Sequence, residues 1–271
     1  MIATDFIFDG KRASDYGLML VSINSNNDSV ASGGDMEYSV AKTPNNDRYT
    51  FYGSQFNNVL TWNISVVKDP CKCQNPMITA CEESEIAKWL MKTDGYKWFQ
   101  FYQEQHENIY YKVYINMTPN QIAGTTIGFD LTVTSDCAYG FSNIITKQAT
   151  INASTPFHFY VDNNINNYIF PNFTISRSIA NESEESTKDF YIYNAKDLEQ
   201  NIKNDKVSKF SNVLSADIAL DSANEIIKGI SPKQFNWYFP RLVNGRNIIE
   251  TNSESDINIK IQYRETRRVI A

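Results

Sequence analysis

The chain has 271 residues, with 25 Lys and Arg against 31 Asp and Glu for a net −6, and 42% hydrophobic and 13% aromatic residues. That apolar content supports a sizeable core and excludes wholesale disorder, while the acidic balance is poorly suited to gripping a phosphate backbone. With 30 Asn but only 2 His and 4 Cys, little raw material exists for histidine-based catalysis or a multi-ligand transition-metal site.

Period-two alternation dominates from the start, and alternating strands describe sheets with one buried and one wet face. The opening MIATDFIFDGKRAS lacks a signal-peptide pattern, so folding in a cytoplasm is expected, and no run approaches the roughly 18 apolar residues that span a bilayer. Strands are predicted at Phe6 to Phe8 and Leu18 to Ile23, followed by an Asn-, Ser- and Gly-rich surface loop from Asn24 to Asp35. Leu60, Trp62, Ile64 and Val66 then alternate with Thr61, Asn63 and Ser65.

One helix stands out over residues 80–92. Thr79 caps it, with Glu82 completing a capping box. Glu82, Glu83 and Glu85 crowd the first turn and Lys88 and Lys92 the other end, as the helix dipole favours. Ile86, Trp89 and Leu90 share one apolar face, which makes Trp89 a core residue, and Gly95 provides the stop.

Strands resume at Tyr111 to Ile115 and at Phe129, Leu131 and Val133. A boundary near residues 140 to 155 divides the chain into a domain over 1–140 and a second over 141–271. In the second, strands are predicted at Phe157 to Val161, Phe190 to Tyr193 and Ala216 to Leu220. The clearest is Ile257, Ile259, Ile261 and Tyr263 against Asn258, Lys260, Gln262 and Arg264. A thin apolar stripe of Leu198 and Ile202 suggests a short helix over Ala195 to Asn204, and Glu-rich Ala180 to Lys188 reads as mobile surface. The antiparallel pattern makes this a mainly β protein.

Motifs for chemistry are sparse. The sequence has no Gly-rich phosphate loop, no G-x-S-x-G elbow and no H-E-x-x-H. His106 reads as a hairpin-turn residue and His158 as the outward member of a strand, and neither has a nucleophile nearby. Cys71, Cys73 and Cys81 do not match the usual zinc spacing, so they and Cys137 read as reduced thiols. Paired carboxylates suit glycoside hydrolysis, yet 31 acidic residues make any such pair unspecific; Glu182, Glu184 and Glu185 read as a solvated run. Trp237 and Tyr238 could stack on a sugar ring, although alternation favours burial of some of Phe235, Trp237 and Phe239. No catalytic residue, metal ligand or cofactor site is assigned.

The segment from Phe6 through Asp9-Gly10, Ser14 and Asp15-Tyr16-Gly17 to Leu18 resembles the start of siphophage distal tail proteins. The resemblance continues through the Trp89-Leu90 helix, the aromatic strands from Trp98 to Ile115 and the strand from Gly128 to Val133. At the far end, Leu242 to Ile249, with Asn244-Gly245 supplying a turn, is similar to a hairpin of that family's second domain. The closing strand through Tyr263-Arg264, with Arg267-Arg268 beyond, matches its last strand, while 142 to 213 matches poorly.

The resemblance implies an N-terminal β-sandwich with one packed α-helix that forms a hexameric ring, plus a C-terminal galectin-like or jelly-roll β-sandwich. It implies a structural virion protein at the tail tip or baseplate, assembled in the host cytoplasm. The ring would join the major tail tube protein to a tail-associated or tail fibre-like protein and to receptor-binding proteins. It implies no enzyme activity, no cofactor, no direct nucleic-acid recognition and no membrane insertion. A free-standing carbohydrate-binding β-sandwich module is the alternative.

Overall fold

The structure is a computed structural model and describes residues 4–23, 36–42, 47–72, 75–102, 108–163, 165, 168–177, 189–200, 206–213 and 215–268. The chain is mainly β and divides into two compact units, Met1–Phe141 with Arg267–Ala271, and Ser142–Thr266. Asn24 to Asp35, Ala180 to Lys188, His106 and Cys73 lie outside the described residues.

The first unit contains β1 (Asp5–Phe8), β2 (Lys11–Arg12), β3 (Leu18–Ile23), β4 (Met36–Lys42), β5 (Tyr49–Phe56) and β6 (Thr61–Lys68). Then come α1 (Ala80–Leu90), β7 (Lys97–Tyr102), β8 (Tyr111–Ile122), β9 (Thr125–Ser135) and the two-residue β10 (Gly140–Phe141). Seven strands form one sheet in the order β2-β1-β7-β8-β9-β6-β3, each pair antiparallel. Asp9 and Gly10 both take positive φ, +51° and +77°, and close β1 onto β2 with Phe8 opposite Lys11. That geometry matches the right-handed twist of the flanking strands.

Register explains the core. Trp62, Ile64 and Val66 of β6 lie opposite Val133, Leu131 and Phe129 of β9, and all six are buried. Phe6, Phe8, Phe99, Phe101 and Trp89 complete the same cluster. Each such side chain contributes roughly 1.5–3 kcal/mol on burial. On the wet face Ser65 donates to Asp130 at 2.6 Å.

Helix α1 follows the sequence closely at its start. Glu82 N–H donates to Thr79 Oγ1 at 3.3 Å, and Thr79 N–H to Glu82 Oε2 at 2.8 Å, so the capping box is complete. Ile86, Trp89 and Leu90 are the buried face. The end differs from expectation: the helix stops at Leu90, and Gly95, with φ +104°, sits in the turn beyond rather than at the cap. Met91 leaves helical geometry first, at φ −91° and ψ 74°, and Lys92 turns to pair with Asp9 at 3.1 Å.

The second unit contains β11 (Ile145–Ile151), β12 (Phe157–Val161), β13 (Asn172–Arg177), β14 (Phe190–Asn194), β15 (Ser208–Phe210), β16 (Ala216–Asp221), β17 (Ile226–Lys228), β18 (Gly245–Thr251) and β19 (Ile257–Tyr263). Two sheets, β11-β19-β13-β16-β17 and β12-β18-β14-β15, enclose one core in a β-sandwich. On β19, Ile257, Ile259, Ile261 and Tyr263 face inward, as alternation requires.

Two expectations fail here. Residues 195–200 form turns rather than a helix, and Leu198 is 96% exposed. Asn194 Oδ1 accepts from Lys196 N–H, and Asp197 N–H turns back to the Asn194 carbonyl, so local side-chain bonds outcompete the helix. Asn244-Gly245 closes no hairpin. Leu242 makes an isolated bridge with Ile169, and Gly245, at φ +89°, only delivers the chain into β18. Of Phe235, Trp237 and Phe239, some are buried as expected: Phe235 lies in the core and Phe239 packs against it, while Trp237, at φ +60° outside any strand, is 53% exposed.

Candidate functional site

Catalytic chemistry finds little to work with. His158 lies exposed on β12, where Arg246 Nη2 approaches its Nδ1 at 3.3 Å. Cys71 and Cys81 are exposed. The Cys137 thiol donates to the Tyr139 carbonyl, and burial pushes its pKa up to about 12, which disfavours the reactive thiolate. Among the described residues no group of three His, Cys, Asp or Glu comes together as a metal site. No helix among them is long and apolar enough to cross a membrane.

Surfaces are more informative. In the first unit β4 and β5 form a separate two-stranded sheet, paired from Met36 opposite Phe56 to Lys42 opposite Tyr49. Tyr38, Val40, Tyr49, Phe51 and Tyr52 on it are 48% to 68% exposed. An isolated hairpin is marginal in water, and so many large apolar groups on one ribbon mark an interaction surface. Alternation in β4 and β5 is visible in the sequence, but only the structure shows how little the described residues cover these side chains.

In the second unit Arg241 organises a polar cluster that sequence reasoning missed. Its guanidinium donates from Nε to Asp197 Oδ2 at 2.5 Å and from Nη2 to Asp197 Oδ1 at 3.1 Å. Nη2 also donates to Glu199 Oε2 at 2.5 Å, and the group lies over the Tyr168 ring, 3.6 Å from its centroid. Asp197 is fully buried at its side chain, so this pair is a structural tether. The hydrogen bonds Arg241 donates to Asp197 and then to Glu199 hold it more firmly protonated than usual. Asp197 and Arg241 stand far apart in sequence, and nothing short-range connects them. Trp237 packs loosely on Phe235 and Phe239, with ring centroids 6.4 and 6.2 Å away, and Asn236 anchors its loop by accepting from Lys209 N–H at 3.0 Å.

Among the described residues the chain is strand-rich, with two compact units, one capped α-helix and an exposed apolar ribbon. Residues 1–137 match the family model described as "Phage tail protein N-terminal domain", and the chain belongs to that family. It is therefore a component of the phage tail. The fold is shared with the SPP1 Dit protein, whose crystal structure is described as a paradigm of the hub adsorption apparatus in phages infecting Gram-positive bacteria. That match has TM-score 0.60 and 11% identity, and covers 98% of this chain and 99% of the other. A chain of the phage P2 baseplate, in its activated conformation with Ca, matches at TM-score 0.56 and 8% identity, covering 97% and 98%. No curated protein sequence matches the chain.

Proposed function

We propose that six copies of this chain close into a ring that serves as the hub at the distal end of a phage tail, joining the tail tube to the tail-tip or baseplate proteins. The observation that carries this reading is the β4–β5 ribbon, whose Tyr38, Tyr49, Phe51 and Tyr52 stay exposed among the described residues. A head-to-tail contact between unlike surfaces of identical chains closes into a ring when its rotation permits. The ribbon supplies one such surface, and the rest of the first unit supplies the other. Residues 1–140 make the ring, and residues 141–271 form a second domain that carries partners: a tail-associated or tail fibre-like protein and receptor-binding proteins. The role is structural, without catalytic residues, cofactor or metal.

Light scattering of the untagged protein over a concentration series tests the ring, combined with immunogold labelling of intact tails. The expected result is a mass near six times 31.1 kDa, ring-shaped particles in negative stain, and label at the tail tip. A single-chain mass at every concentration, with no label at the tip, overturns the reading.

A further inference from the structure

Asn244 is the only asparagine in the chain that is followed by glycine. It is exposed at a bend, one residue before β18 begins. Its Oδ1 accepts the Asn163 backbone N–H at 3.0 Å. The buried Asn247 brackets the same bend. Its Oδ1 accepts from Val243 N–H at 2.9 Å, and its Nδ2 donates to the Val243 and Gly245 carbonyls at 2.9 and 3.1 Å. Gly245, at φ +89°, puts no Cβ over the nitrogen that follows the Asn244 side chain.

We propose that Asn244 is a site of self-modification, where the chain converts its own asparagine to aspartate and isoaspartate. The Gly245 backbone nitrogen attacks Asn244 Cγ, and its proton passes through water to the departing Nδ2. The Cγ–Nδ2 bond breaks, ammonia leaves and a succinimide ring closes. Water then opens the ring at either carbonyl, so one water is taken up for each ammonia released. The Asn163 N–H supports the attack, because a donor on Oδ1 stabilises the negative charge that gathers there. Access to the nitrogen comes from the strand end. Gly245 opposite Val161 is the last pair of the β12–β18 ladder, and terminal pairs open most readily.

The two products meet the fold differently. Aspartate offers the Asn163 N–H a charged acceptor, which makes a stronger bond than the amide did. Isoaspartate carries the main chain through Cγ and lengthens it by one carbon just before β18, where register against β12 begins. One product keeps the four-stranded sheet intact and the other loosens it. The inference does not depend on ring closure, because every residue involved lies in the second unit of one chain.

Timed incubation of the full chain in warm, mildly alkaline buffer, followed by digestion and peptide mass measurement, tests it. The expected result is conversion of amide to acid in the peptide carrying Asn244. It should come several-fold sooner than at Asn252, which precedes Ser253 and whose Oδ1 accepts from Tyr191 N–H. The rate should rise with pH, since attack needs a deprotonated nitrogen. Labelling by an isoaspartate-specific methyltransferase should fall sharply in Asn244→Gln. In thermal melts Asn244→Asp should match or exceed the unmodified protein, while the isoaspartate fraction melts lower. The proposal is overturned if Asn244 stays intact in the folded chain while converting in urea, or if another asparagine converts first. Methyltransferase labelling undiminished in Asn244→Gln overturns it equally.

Discussion

Trp89 donates its indole Nε1–H to the backbone carbonyl of Phe8 across 2.9 Å, joining the helix to the first strand of the sheet. The Tyr16 ring stacks on the indole at 4.3 Å and 8° between planes, and the Phe6 ring is parallel to it at 5.9 Å. A few residues from the start of the chain thus hold a helix some eighty positions later. Trp89→Phe keeps much of the apolar contact and removes the donor, so it should cost about 1–3 kcal/mol. Trp89→Ala should cost about 3–5 kcal/mol. Both should lower the denaturant midpoint without changing the m-value.

Glu82 ties the same helix to the sheet, since Lys68 Nζ donates to Glu82 Oε1 at 2.7 Å. The Lys68 hydrogen bond, followed by the Thr79 backbone bond, pulls the Glu82 pKa from its ordinary 4.5 down to about 2. The folded value lies below the unfolded one, so the contribution is present above pH 4.5 and fades as pH falls toward 2. Stability profiles across that window should lose steepness in Glu82→Gln. An unchanged slope would show that solvent screening has removed the effect, because the Glu82 side chain is 42% exposed.

Gly10 and Gly128 should respond differently to alanine. A Cβ at Gly10 meets nothing within 4 Å, so the cost is the positive φ alone, about 1–2 kcal/mol. A Cβ at Gly128 would lie 2.3 Å from the Val66 carbonyl oxygen, forcing β9 away from β6. Gly128→Ala should be the more damaging of the two in thermal melts, and equal losses would contradict the close approach.

Removing Arg241 strands the buried Asp197 carboxylate. Arg241→Ala should therefore cost about 3–5 kcal/mol, and adding Asp197→Ala should recover part of it. A double-mutant cycle on chemical denaturation gives the coupling, and strict additivity would show that the two groups act independently.

The β4–β5 ribbon allows a variant that separates assembly from folding. Phe51→Ser with Tyr38→Ser removes exposed apolar surface and touches no core. The expected outcome is loss of the ring mass with little change in melting temperature. A ring that survives both changes would place its contacts elsewhere on the first unit.

Much of this architecture is readable along the chain, because strand alternation and helix capping are local physics. The β19 pattern, the Thr79–Glu82 box and the Asp9-Gly10 turn all appear in the structure where their residues stand. The short helix expected over Ala195 to Asn204 did not form over residues 195–200, because Asn194 and Asp197 offer the backbone closer partners than the next helical turn. Asn244-Gly245 has turn chemistry, but the strand it leads into, β18, pairs with β12 and β14 rather than folding back on the preceding residues, and Leu242 bridges Ile169 more than seventy residues away.

What the sequence determined by itself is the mainly β character, the one capped helix and the scarcity of catalytic groups, since each depends on neighbours a few residues apart. Tertiary structure alone decided that Arg241 meets Asp197, that the described residues leave the β4–β5 aromatics exposed, and that Tyr160, Arg246, Glu250 and Tyr193 share one sheet face. Those relationships arise from strand pairing over long separations, where register rather than local preference chooses which side chains meet.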